Sequence, residues 1–187
     1  MHINEIIKKR RATPPKFMLN EKVDKELIEQ MLENANWAPN HKKTEPWRFQ
    51  VYTGDAKEKL ADDVYRVLDE KIKKGTDIHP QKAADLRENI KRVPVVLVIS
   101  MERDGAKRLP EWEEIAAVSI AVQNMWLTAT EMGLGAFWAS PQFLPLLNEV
   151  LNIYQGQMAM GFFYVGKTAM DYPSPGRGPV DTKVEWK

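Results

Sequence analysis

The run Pro94-Val95-Val96-Leu97-Val98-Ile99 limits the fold more than any other stretch of this chain. It is apolar throughout, shows no alternation and has the length of a single strand. A strand of that kind is stable only where both of its faces are covered, as at the centre of a sheet. The rest of the chain must therefore supply cover on two sides. With 187 residues, against ~150 for a typical domain, it has the length for one domain spanning 1–187.

Periodicity supplies the covering elements. Ile3, Ile6 and Ile7 share one face of a short helix that ends near Arg10-Arg11, and Pro14-Pro15 stops it. Asp24 can cap a second helix carrying Leu27, Ile28, Met31, Leu32 and Ala35 on one side. Trp47, Phe49 and Val51 alternate with Arg48, Gln50 and Tyr52, which reads as a half-buried strand. A charged helix follows from about Ala56 to Lys73, then a polar one to about Arg92. The longest helix runs from about Trp112 to Met132 with Gly133 as its C-terminal stop. A short strand through Ala136-Phe137-Trp138, a helix around Phe143 to Leu151 and a strand from Met158 to Val165 complete the core. This order predicts an α+β fold, a mainly antiparallel sheet of about four strands flanked by helices. The tail from Gly166 to Lys187 still carries Val180, Val184 and Trp186, so it needs a surface, its own domain's or a second subunit's.

Several chemistries are excluded early. The chain has no cysteine, so disulfides, thiolate metal sites and cysteine nucleophiles are absent, and a reducing cytoplasm suits it. Its histidines, His2, His41 and His79, lack the spacing of a helical zinc pair, and no metal site is expected. No serine sits in a G-x-S-x-G elbow, and neither a dinucleotide fingerprint nor a phosphate-binding P-loop occurs. A net charge of +1 gives no global attraction for nucleic acid or an anionic membrane. No apolar run approaches the ~20 residues of a membrane helix, and the N-terminal residues do not read as a signal peptide.

Three segments can carry chemistry. Arg10-Arg11-Ala12-Thr13, at a helix C-terminus, is either a solvated last turn or an anion clamp built on guanidinium charge. The stretch from Trp37 through Pro39, Asn40, His41 and Lys43 to Trp47 sets rings beside hydrogen-bond donors. Gly135 to Pro141, with Gly176-Arg177-Gly178-Pro179, offers small residues and backbone amides for close approach of a flat ligand. Arg177 either reaches an anion or lies exposed in a turn.

Together these landmarks resemble the nitroreductase family of flavin-dependent oxidoreductases, in its smaller, minimal-sized branch. The resemblance rests on Ile7-Lys8-Lys9-Arg10-Arg11 near the start, Trp37-Ala38-Pro39 followed by Pro46-Trp47-Arg48-Phe49, Gly133-Leu134-Gly135 before Phe137-Trp138-Ala139-Ser140, and Arg177-Gly178-Pro179. It implies a homodimer with FMN at the subunit interface, and a C-terminal tail reaching the partner. Arg10, Arg11 and Ala12 would hold the phosphate and ribityl side, with Arg177 as a second phosphate ligand. Pro39, Asn40, His41 and Lys43 would approach from the partner subunit, with Trp37 stacking on the ring or packing nearby, and Trp138, Ala139 and Ser140 would lie along the ring. Ala12, Lys43 and Glu45 stand where the family more often has Ser, Asn and Gln. The implied activity is ping-pong: hydride from NADH or NADPH, then electrons to a nitroaromatic, quinone or similar small acceptor, with His41 and Lys43 placed to stabilise charge near flavin N1 and the C2 carbonyl. No protein side chain is assigned as a catalytic acid. A flavin-binding or cofactor-free member that senses or scaffolds without turnover is the alternative.

Overall fold

The computed structural model describes residues 2–170, 173 and 176–187. Helix α1 (Ile3–Lys9) leads through a turn at Pro15–Phe17 into the short strand β1 (Met18–Leu19), and helix α2 (Lys25–Asn36) follows. Strand β2 (Trp47–Thr53), helices α3 (Gly54–Lys73) and α4 (Pro80–Arg92), and strand β3 (Val95–Glu102) come next. Helix α5 (Glu111–Glu131) then gives way to β4 (Leu134–Ala139) and β5 (Gln157–Thr168).

The expectation from the apolar run is met. β3 lies between β2 and β5 and pairs antiparallel with both. Its side chains alternate between two separate cores, as a strand covered on both faces requires. Val95, Leu97, Ile99 and Met101 point to the side packed by α2 and α5, against Met31, Val118, Val122 and Met125. Val96 and Val98 point to the side packed by α3 and α4, against Val64, Leu68, Leu86 and Ile90. The molecule is thus helix pair, sheet, helix pair.

β4 pairs antiparallel with β5, opposite β3, so the main sheet order is β4-β5-β3-β2. β1 takes the β3 side of β5 beyond the end of β3, through Met18 opposite Thr168. That makes five strands, one more than the periodicity suggests, because a two-residue strand is too short to show any alternation. Among the described residues β2 has a partner on one edge only, and its Val51 is exposed.

Two local expectations are corrected. The segment expected as a helix around Phe143 to Leu151 is a single tight turn at Leu144–Leu147 followed by further turns. Pro141 and Pro145 lack the donors a helix needs, and Asn152 adopts φ 51°. Leu144, Leu147 and Leu151 are nevertheless buried, so the apolar spacing is satisfied without a helix. Asp24 stands at the N-terminal cap of α2, but its side chain makes no capping hydrogen bond. The start of the tail, to Thr168, belongs to β5, while further on Val180 is 67%, Val184 46% and Trp186 93% exposed.

Candidate functional site

The outer edge of β4 organises the first part of the site. After α1 the chain straightens, Ala12 forms a parallel bridge with Ala136, and the Thr13 N–H donates to the Ala136 carbonyl at 2.9 Å. This lays Arg10-Arg11-Ala12 beside the strand that leads to Trp138. The Arg10 guanidinium sits over the Trp126 ring, 4.8 Å from its centroid, and the Trp126 indole N–H donates to the Arg11 carbonyl at 2.9 Å. The Arg11 guanidinium turns back onto the Arg10 carbonyl at 2.8 Å and onto the Lys8 carbonyl.

Burial lowers the Arg10 pKa, and the neighbouring charges of Arg177 and Arg11 lower it further. Arg177, on the C-terminal segment, is thus near enough for its charge to act on Arg10. None of these arginines pairs with a carboxylate among the described residues. Like charges gathered with no paired carboxylate among the described residues repel, and the arrangement suits a multiply charged anion.

β4 carries the next part. Trp138 is half-buried opposite Phe163, and its indole N–H donates to the Met160 carbonyl at 3.0 Å. This crossing requires Gly161. At φ 137° a Cβ there would stand 2.3 Å from the Ala139 carbonyl oxygen and 2.7 Å from Trp138 Nε1. Trp138, Ala139 and Ser140 then line a cavity of about 850 Å³ with Phe137, Leu86 and Phe143. Lys82, Asp85 and Asn89 on α4 also face it, and the sequence reading does not single them out. Their helical spacing, beside buried Ala83, Leu86 and Ile90, was the available signal; Trp126, also missed, reads in sequence only as one more core residue of α5.

The loop from Trp37 to Pro46 is built differently. Trp37 ends α2, is 78% exposed, and donates its indole N–H to Glu33 at 3.0 Å. Pro39 is exposed, and Asn40 accepts the Glu45 N–H at 3.1 Å, closing the loop on itself. His41 Nδ1 meets the Glu113 carboxylate at 2.8 Å in the first turn of α5, and Lys42 donates to the Arg108 carbonyl at 3.3 Å. Lys42, Lys43 and Glu45 have φ of 53°, 53° and 43°, a left-handed region that costs side-chain-bearing residues energy. Lys43 is exposed and pairs with no carboxylate among the described residues.

The structure thus gathers Arg10, Arg11, Ala12, Arg177 and the β4 strip, but places the His41 loop elsewhere. Glu113, beneath His41, and Trp126, beneath Arg10, are separated by roughly 20 Å along α5 at ~1.5 Å per residue. Two large apolar side chains of α5 face outward, Trp112 at its start and Ile120 between Glu113 and Trp126.

Comparison with known proteins fits this geometry. The model of the Nitroreductase family matches residues 7–167. The chain is 32% identical over 142 residues to YfhC of Bacillus subtilis (strain 168), named as a candidate NAD(P)H nitroreductase, covering 76% of this chain and 71% of that protein. The crystal structure of a nitroreductase-like family protein from Bacillus cereus superposes with a TM-score of 0.84 at 29% identity, covering 100% of this chain and 96% of that one. A Desulfovibrio desulfuricans protein solved in complex with FMN shares the fold, with a TM-score of 0.76 at 21% identity, covering 100% of this chain and 97% of the other.

Proposed function

The chain belongs to the nitroreductase family, and from that premise we propose that it is an FMN-dependent oxidoreductase using NADH or NADPH to reduce a small electron acceptor such as a nitroaromatic or quinone. The observation that carries the reading is the cluster of Arg10, Arg11 and Arg177, none of them paired with a carboxylate among the described residues, beside a strand whose end opens on a cavity.

The residues fit the cofactor. The guanidinium groups present planar forks of N–H donors to a phosphate monoester, with bidentate geometry that a lysine lacks. Ala12 is exposed beside them and brings no hydroxyl, so the phosphate side depends on guanidinium and backbone donors. Trp138, Ala139 and Ser140 offer a flat, partly apolar strip for the ring, and the cavity beyond them, with Lys82, Asp85 and Asn89 at its polar side, receives the acceptor. The cofactor supplies the redox chemistry, alternating between hydride from the nicotinamide and electrons to the acceptor in a ping-pong cycle. The protein binds, orients and sets the local charge.

The loop bearing Pro39, Asn40, His41 and Lys43 completes the site from a second copy of the chain. Its distance from the arginines along α5 supports this, as does the exposure of Trp112 and Ile120 on an otherwise core-type helix. In such a dimer the imidazole of His41 and the ammonium of Lys43 would help hold the ring and would stabilise the negative charge that reduction adds to it. Trp37 borders that ring, and the exposed tail finds its surface on the partner.

An absorbance spectrum of the purified protein, followed by anaerobic titration with NADH and then NADPH, tests the reading. A yellow protein bleached by either nicotinamide is expected. Colourless protein that takes up no added FMN would overturn it.

A further inference from the structure

A single side chain touches both residues of the arginine pair, through the guanidinium of Arg10 and the backbone carbonyl of Arg11. Trp126 is wedged edge-on against Phe163, with ring centroids 5.5 Å apart and planes at 85°, so its own orientation is set by the core. One face of the ring carries the Arg10 guanidinium at 4.8 Å. The indole N–H takes the Arg11 carbonyl at 2.9 Å. Two residues further on, Thr13 is tied to β4 through the Ala136 carbonyl. The backbone between α1 and β4 is therefore fixed at two points, and one of them is this indole.

The choice of a ring has a chemical consequence. A carboxylate would also hold Arg10, but it would neutralise the charge and occupy its N–H fork. An aromatic face attracts the cation through its quadrupole and leaves the in-plane N–H donors to the ligand. It also offsets the repulsion that would otherwise drive Arg10 away from Arg11 and Arg177.

We propose that Trp126 is the positioning residue of the phosphate clamp, its face aligning the Arg10 guanidinium and its N–H fixing the Arg11 backbone, so that Arg10 is poised for a phosphate monoester before one binds. This rests on the FMN reading above and adds to it a residue outside the segments expected to touch the cofactor.

The test measures FMN and riboflavin affinity side by side on the full-length, flavin-stripped protein, by quenching of flavin fluorescence. Trp126→Phe keeps the ring face and loses the N–H; its FMN affinity falls about 2- to 10-fold, the worth of one hydrogen bond. Trp126→Leu loses both contacts, and its FMN affinity falls about 10- to 100-fold. Riboflavin, which lacks the phosphate, binds all three proteins equally. A wild-type protein that prefers FMN, with variants that lose the same factor for both flavins or for neither, overturns the assignment of Trp126 alone. A wild-type protein that binds neither flavin overturns the FMN reading and this inference with it. Should Trp126→Leu fail to fold, the change in FMN-to-riboflavin ratio in Trp126→Phe decides the matter.

Discussion

The two ends of α5 support their neighbours in opposite ways. At the Trp126 end, Arg10 and Arg11 are held by a core-anchored ring and a sheet edge within one chain. At the Glu113 end, His41 and Lys42 rest on the surface through one carboxylate contact and one carbonyl, and the loop keeps its shape with left-handed residues. The first region is finished in the single chain; the second is shaped but bare. A site divided in this way puts the charged, permanent contacts where burial can hold them. On the function proposed above, the contacts to the ring would fall to a loop that a second copy covers.

The largest test of this contrast strikes the weaker end. Glu114, whose side chain is fully buried in the first turn of α5, pairs with Arg103 and accepts the Asp104 N–H at 2.9 Å. Glu114→Ala leaves a guanidinium unpaired and is expected to cost about 3–5 kcal/mol in urea unfolding. A loss below ~1 kcal/mol, the scale of an exposed pair, would show that this pair does not hold the helix end in place.

At the stronger end, Arg177→Ala removes a charge-assisted contact worth about 1.5–3 kcal/mol, a roughly 10- to 150-fold loss of FMN affinity. Complete retention of flavin through gel filtration at low protein concentration would remove Arg177 from the clamp. Co-expressing Arg10→Ala with His41→Ala chains then asks whether the two ends serve different copies. Random pairing in a two-fold dimer rebuilds intact sites in roughly a quarter of positions, so flavin content should recover to that level. No recovery would place clamp and loop in the same copy.

The smallest effect belongs to the loop that Lys42 touches. Arg108 holds the Asp104 carboxyl down at about 2, from an ordinary 3.8. With the folded value below the unfolded one, the stabilisation is fully present above about pH 4 and is lost as pH falls through about 2. Asp104→Asn should flatten the stability profile only in that window, and added salt should shrink the difference; a change at neutral pH of the same size as at pH 3 would contradict it.

How far the residues alone reveal this depends on the range of the interaction. The β3 run announces a strand covered on both faces, and α5 announces a core helix, because each pattern is local. Arg10, Arg11 and Trp138 are visible as unusual residues in unusual places. Lys82, Asp85 and Asn89 are not, since only the packing of α4 beside the end of β4 turns an ordinary polar helix face into a cavity wall. Nor does spacing along the chain show that His41 and Arg10 stand near opposite ends of one helix. The expected helix after Phe143 failed because its leucines fit a helical period while its prolines cannot donate.

The unpaired edge of β2 carries one last consequence. Its outward N–H and C=O groups run the length of Trp47–Thr53 and invite any extended segment to join them. An edge of this kind is prone to sticking strand against strand wherever nothing covers it, which makes it the place on this sheet most exposed to aggregation.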